Sequence, residues 1–208
     1  MLTLYGYPTF NPLKTVITAE ELGLDYDYVH INLAKRQNLT PEHLERHPYG
    51  KVPVLIDGDL TLSESNTICR YLSRIADYKL YSQTPSVAGK IDEIIDLVTL
   101  QAGKSFSECF WEEVIVPRLG SEPNQDKIQL AKENLKKQLP YLDQVLAKQT
   151  FLAGSEFSIA DIIAYTYVGL IEITSVNINE YKNLLRWYRD IDSREAVQKA
   201  KQQLAKKN

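Results

Sequence analysis

Over the first 80 residues the spacing of apolar positions switches between two periods. Leu2-Thr3-Leu4-Tyr5 alternates and is β-prone, whereas Leu13, Val16, Ile17 and Leu22 fall on one face of a helix from Pro12 to Leu22. Asn11 before Pro12 reads as a helix start, because an asparagine side chain can accept an orphan amide and proline loses nothing at the first helical position. Gly23 reads as the helix stop. Tyr26 to Ile31 predicts a second strand, and Thr40-Pro41-Glu42 repeats the cap-and-proline signal for a short helix ending near His47. The run Val52-Pro53-Val54-Leu55-Ile56 passes through Asp57-Gly58 into Leu60-Thr61-Leu62, which is a hairpin signal, and Ser63 to Ile75 is helical. The predicted order is βαβ-α-ββα, a small mixed sheet with helices packed against it.

From Asp77 to Ser86 the pattern lapses into DYKLYSQTPS, polar and proline-bearing. We expect a first domain over 1–78, a linker over 79–85 and a second domain over 86–208. No strand signal competes with helical periodicity in that second part. Ile91, Ile94, Ile95, Val98, Phe106, Cys109, Phe110 and Val114 mark one long helix interrupted by Pro117, and Gln125 to Leu146 marks another. Ser158 and Asp161 are spaced as a capping box, with Phe157 and Ile162 at staple positions, and the following IIAYTYVGLI is apolar on all sides, as a helix through a core would be. Lys199, Lys201, Lys206 and Lys207 read as part of a solvated final helix whose cations suit its C-terminal end.

Composition narrows the function classes. The 208 residues carry 24 Lys+Arg against 27 Asp+Glu, a formal net charge of -3, with no basic run among the first 190. A nucleic-acid footprint needs clustered Lys/Arg, and an anionic membrane surface would find no attraction here, so neither partner is expected. The start MLTLYGYPTF lacks a secretory leader's charged and apolar regions, and Ile162–Ile171 is half the roughly 20 residues a bilayer requires, which together predict a cytoplasmic protein. Cys69 and Cys109, each among apolar residues at helical spacing, read as small buried hydrophobes. His43 and His47 are four apart, but no third ligand completes a metal site and HLERH is not HExxH; we expect no metal, and a solvated helix there.

An 80-residue βαβ-α-ββα unit, a short linker and an all-helical domain resemble the cytosolic glutathione transferases over essentially the whole chain. LYGYPTFNP resembles that family's first strand and active-site turn, GKVPVL its cis-proline stretch, and LSESNTICRYL its Glu-Ser glutathione motif. FSIADI resembles the capping box of its core helix, and LLRWYRDIDSREAVQKA its closing segment. The resemblance implies an α/β thioredoxin-like N-terminal domain followed by an all-α C-terminal one. It implies glutathione as the substrate, a small electrophile or a disulfide as the second reactant, and a homodimer. It also places the γ-glutamyl carboxylate on Ser65 with the ammonium near Glu64, the cysteinyl part along the Val52 backbone before Pro53, and the glycyl end toward Lys51 and Asn38. The positive end of a helix suits a carboxylate, which is the physical sense of Ser65; plain N-capping is the other reading of Ser63 and Ser65.

The chemistry such a protein needs is thiolate stabilisation, since a thiol of pKa about 8.5 is only a few per cent ionised at neutral pH. Where several transferase classes place Ser, this chain has Phe10, which can donate nothing. Pro8-Thr9-x-Asn11-x-x-Lys14 instead resembles the Nu-class and related bacterial or fungal transferases, in which a Thr and an Asn hold the thiol and disulfide-bond reductase or peroxidase activity can accompany conjugation. Thr9 and Asn11 are therefore the catalytic candidates, Asn11 having the helix cap as its other reading and Tyr7 remaining a candidate donor. Tyr7, Phe10, Phe106 and Phe110 are the candidate walls of the acceptor pocket. No cysteine precedes Cys69, so the reacting sulfur is expected to be glutathione's own. A non-catalytic ligand-binding or interaction module with the same fold is the alternative function.

Overall fold

A computed structural model describes residues 1–206, which form two compact units: one from Met1 to Gln83 joined by the segment from Ser193 onward, the other from Thr84 to Asp192. The first unit runs β1 (Leu2–Gly6), α1 (Phe10–Leu22), β2 (Tyr26–His30), a 3-10 turn (Gln37–Leu39), α2 (Pro41–Arg46), β3 (Val54–Asp57), β4 (Leu60–Ser63) and α3 (Ser65–Ile75). This is the predicted βαβ-α-ββα order. The sheet has the strand order β2-β1-β3-β4, with β1 parallel to β2 and antiparallel to β3, so the N-terminal strand is central. Alternation along β1 buries Leu2 and Leu4, and α1 packs on α3 through Val16, Ile17 and Ala19 against Ile68, Cys69 and Leu72, all fully buried. The hairpin forms one residue later than its sequence signal. Asp57 pairs with Leu60, so the two-residue loop is Gly58-Asp59, with Gly58 supplying the positive φ of 57°.

The closing segment departs from expectation. Residues from 193 onward, predicted within the helical domain, group with the first unit because α10 (Glu195–Ala205) packs on α1. Arg194 fixes that docking with a fork onto Glu21, Nε to Oε1 at 2.5 Å and one terminal nitrogen to Oε2 at 2.7 Å, the bidentate geometry that guanidinium favours. Lys199, half-exposed, pairs along the helix with Glu195 as a solvated face would; Lys207 lies outside the described residues.

The second unit is all helix: α4 (Pro85–Leu100), α5 (Ala102–Phe110), a π-helical turn (Trp111–Ile115), α6 (Val116–Arg118), α7 (Gln125–Lys148), α8 (Ile159–Val168) and α9 (Lys182–Asp192). The single long helix predicted up to Val114 is two. It breaks at Gln101, φ -110° and ψ -92°, where α5 turns to bring Gly103 so near α8 that a Cβ there would meet the Tyr167 ring at 2.9 Å. The wider π turn ends at Pro117, which has no N–H to give and crowds the carbonyl four residues back. Glu112 in that turn is buried and accepts from the Asn124 N–H at 2.9 Å, closing the start of α7.

Every residue of α8 is buried, and its capping box is present. Asp161 does more than cap. Its carboxylate, with no exposed surface, accepts from the Ser158 amide at 3.1 Å, the Leu152 amide at 2.9 Å and the Trp187 indole at 3.0 Å. Burial pushes this carboxyl up and the donated bonds pull it back, so the group is tied to three separate segments of the unit. We expect Asp161→Ala, which leaves those donors buried and unsatisfied, to lower unfolding free energy by about 3 kcal/mol or more in chemical denaturation.

Candidate functional site

The turn after β1 is built around main-chain bonds. The Thr9 N–H donates to the Tyr7 carbonyl at 2.6 Å, and Thr9, in extended backbone at φ -137°, is the N-cap residue of α1 without its side chain closing the cap. The helix thus starts two residues earlier than Asn11-Pro12 suggested, and Asn11 lies inside the first turn. This overturns the cap reading of Asn11. Its Oδ1 accepts instead from Lys14 Nζ at 2.8 Å and from the Ser65 hydroxyl at 3.4 Å.

Lys14 is the residue whose part the sequence reading left open. It is 1% exposed, and its nitrogen also reaches Ser65 Oγ at 3.4 Å and Asn66 Oδ1 at 3.5 Å. Burial lowers its pKa from 10.5 to about 7, against the opposing fields of Cys69 and Glu64. The available signal was its spacing: Lys14 precedes Ile17 and Thr18 by three and four residues, on the face that buries both.

Lys14 and Asn11 meet the start of α3, where Glu64 occupies the N-cap position at φ 68°, ψ 110°, left-handed territory that costs a non-glycine residue of the order of 1 kcal/mol or more. Neither Ser63 nor Ser65 closes the helix as a cap; the Ser65 hydroxyl is committed to Asn11 and Lys14. The first amides of α3 have no partner within the helix, a positive end that favours an anion, and Ser65, 9% exposed, stands at its first position.

The third part is the stretch before β3. The Val52–Pro53 peptide is cis, and the β1–β3 pairing stops at Val54, leaving Val52 outside the ladder. Asn38 Nδ2 donates to the Gly50 carbonyl at 2.7 Å, and His43 Nε2 lies 2.9 Å from the Lys51 carbonyl, which can only accept and so assigns the ring proton to Nε2. Gly50, at φ 58°, admits no side chain, since a Cβ would stand 2.7 Å from the Asn38 carbonyl. The solvated-helix reading of His43 and His47 is corrected here: both are buried, at 1% and 3% exposure, and burial pulls His47 below its ordinary pKa. They face inward because α2 is short and packs over the loop whose carbonyl His43 holds. Asn38 is thereby a clamp on that loop, and Lys51 is exposed beside it.

Of the expected pocket walls, Tyr7 is half-buried with its ring 5.4 Å from that of His30, and Phe10 lies under Lys14 Nζ at 5.8 Å. Phe110 is half-buried in the second unit. Phe106 is corrected: with no exposed surface it is a core residue of the helical unit and has no face to offer an acceptor. Cys69 and Cys109 are buried free thiols whose burial pushes each pKa up to about 11, and Thr18 donates to Cys69 Sγ at 3.3 Å. Neither is a nucleophile at neutral pH.

The first unit therefore gathers a helix N-terminus, a main-chain segment outside the ladder before a cis-proline, and a polar turn, arranged on a thioredoxin-like sheet. A fold and site of this kind define a glutathione-binding transferase. Residues 1–74 match the family described as glutathione S-transferase, N-terminal domain, and 92–195 its C-terminal domain. Glutathione S-transferase 1 of Zea mays is 32% identical over 95% of this chain and 94% of its own length. Among solved structures, glutathione S-transferase I from maize in complex with an atrazine glutathione conjugate superimposes with a TM-score of 0.90 at 30% identity, covering 100% of this chain and 99% of that one. The theta-class enzyme of Xanthomonas axonopodis pv. citri with glutathione bound gives 0.88 at 30%, covering 96% of each. The chain belongs to the glutathione S-transferase family, and glutathione is its substrate.

Burial of Lys14 has a consequence for stability. Its folded pKa, about 7, lies below the 10.5 of the exposed group, so between those values the unfolded chain binds the proton and the folded one does not. Stability from this group is lowest below pH 7 and rises as pH climbs above it. We expect unfolding free energy to increase from pH 7 to about 8.5, before unfolded cysteines ionise, and Lys14→Met to be more stable at pH 6 and flatter across that range in denaturant titrations.

Proposed function

We propose that this transferase activates the glutathione thiol through Asn11, with Thr9 as the second donor of the turn. The observation that carries this is the orientation of the Asn11 amide. Lys14 and Ser65 both donate to its oxygen, which leaves the NH2 on the opposite side as a donor suited to a thiolate. Phe10, at the position where several classes have Ser, supplies apolar surface instead of a hydrogen bond, and Tyr7 forms the other wall of the sulfur site. The γ-glutamyl carboxylate takes the amides at the start of α3 with Ser65, its ammonium takes Glu64, and the cysteinyl main chain pairs with Val52 ahead of Pro53. Lys51 meets the glycyl carboxylate, with Asn38 shaping the loop that presents it.

The turn string Thr9-x-Asn11-x-x-Lys14 supports the Nu-class likeness and, with it, disulfide-bond reduction or peroxide reduction beside conjugation. In such a reaction glutathione is both nucleophile and resolving thiol, because Cys69 and Cys109 are buried and un-ionised. A detoxification role in the cytoplasm and a homodimer complete the reading; the dimer rests on family membership and on exposed apolar side chains along the helical unit, Val87, Leu100 and Leu130 among them. Among the described residues no helix is long and apolar enough to cross a membrane.

Asn11→Asp tests the thiol site. It keeps an oxygen for Lys14, now as an ion pair, but puts an anion where the donor stood. Thermal stability should be retained while kcat with an aryl halide falls at least tenfold and the bound thiol's pKa rises; retained activity would remove Asn11 from the reaction. Glu64→Ala with Ser65→Ala should weaken glutathione at least tenfold in calorimetry, about 1.4 kcal/mol. Sedimentation at micromolar concentration should give twice the 23.8 kDa chain mass, and a monomer would contradict the dimer.

A further inference from the structure

We propose that Lys14 is a positioning residue of the thiol site: its side-chain nitrogen holds the Asn11 carboxamide with the oxygen turned inward, so that the amide NH2 is the group presented to the sulfur of glutathione. The inference rests on the reading of Asn11 as the thiolate donor.

A carboxamide has a donor end and an acceptor end of nearly the same shape. An asparagine free to turn would offer a thiolate its oxygen as readily as its nitrogen, and the oxygen would repel the anion. Something must select the donor end. The Lys14 nitrogen is 2.8 Å from Asn11 Oδ1, closer than to Ser65 Oγ at 3.4 Å or Asn66 Oδ1 at 3.5 Å. An ammonium can only donate, so protonated Lys14 demands the oxygen, and the Ser65 hydroxyl holds the same end when the lysine is neutral. The Ser65 hydroxyl adds a second donor to the same oxygen, at 3.4 Å.

Direct binding of glutathione by Lys14 is a poorer account. The side chain is 1% exposed, so its nitrogen acts through the groups around it. Nor is fold stability a sufficient reason for a lysine here. A cation on the buried face of α1, beside Thr18 and the α3 residues Ser65 and Cys69, is costly to desolvate, and an apolar side chain of equal length would fill the same space without that cost. The donor capacity is what an apolar replacement lacks, and the lysine's shortest contact is with the amide of the proposed donor.

The experiment compares wild type with Lys14→Met, Lys14→Arg, Asn11→Ala and the Asn11→Ala/Lys14→Met double variant. The pKa of bound glutathione is read from the ultraviolet absorbance of its thiolate against pH, with kcat and KM for an aryl halide reaction and a thermal melt of each protein. Lys14→Met should remain folded, raise the bound thiol pKa by about one unit, and lower kcat at pH 6.5 about tenfold with KM for glutathione changed less than threefold. Lys14→Arg, which keeps a cationic donor, should recover at least half of the pKa shift. In the Asn11→Ala background Lys14→Met should add nothing, because the residue acts through that amide. An unshifted thiol pKa in Lys14→Met, or an effect undiminished in the double variant, overturns the proposal, and the double-variant comparison decides should Lys14→Arg not fold. If Asn11→Ala itself leaves the thiol pKa unchanged, the reading of Asn11 as donor has failed. If Asn11→Ala shifts it and Lys14→Met does not, only the role of Lys14 has failed.

Discussion

One buried lysine ties the first turn of α1 to the start of α3, the two segments that carry Asn11 and Ser65. Lys14 has no exposed surface to speak of, and a nitrogen removed from water must find oxygen partners. Those it finds lie on the first turn of α1 and at the start of α3, Asn11 and Ser65 being 54 residues apart in sequence. Satisfying that one nitrogen therefore fixes the turn against the helix terminus. The left-handed backbone at Glu64 belongs to the same constraint, since it delivers Ser65 to the first position of α3 with its hydroxyl facing Asn11 and Lys14.

The helical unit is organised by a buried charge of the opposite sign. Asp161 draws in the Ser158 amide at the start of its own helix, the Leu152 amide of the preceding loop and the indole of Trp187 on α9. A carboxylate in an apolar core would be costly alone, so the segments that carry its donors are held in register by the same energy that a mispairing would forfeit. Both units thus use apolar burial for bulk stability and an enclosed titratable group to define local geometry. In the first unit that geometry includes the candidate site, while in the second it serves the core.

What could be read from the sequence followed from local rules. The βαβ-α-ββα order, the hairpin and the Ser158–Asp161 cap are each signalled within a few residues by periodicity, turn chemistry or capping, and all are present. The misreadings arise where a distant partner decides. Asn11 has every local mark of an N-cap, but Lys14 and Ser65 take its side chain and the helix begins at Phe10. His43 and His47 look like solvated helix until α2 is seen to cover the Gly50–Lys51 loop. Phe106 is aromatic at helical spacing, which is equally the signature of a core residue, and the packing of α5 against α7 and α8 makes it one. The closing helix gives no sequence sign that it docks on α1; only the Arg194–Glu21 fork, 173 residues apart, does so.

Phe10 then takes on a different meaning from a lost catalytic residue. Under the proposed assignment the donor lies one residue beyond Phe10, on Asn11, whose side chain is 2.8 Å from the Lys14 nitrogen. Moving the donor from a hydroxyl to a carboxamide also changes what the site demands of its surroundings: a hydroxyl can rotate its proton to suit, whereas a carboxamide must be held in one of two orientations. The proposed exchange therefore calls for a buried donor beside the carboxamide oxygen, and Lys14, three residues along the helix, stands 2.8 Å from that oxygen. Phe10 instead sets its ring 5.8 Å from the Lys14 nitrogen, within reach of a cation–π contact with the same group.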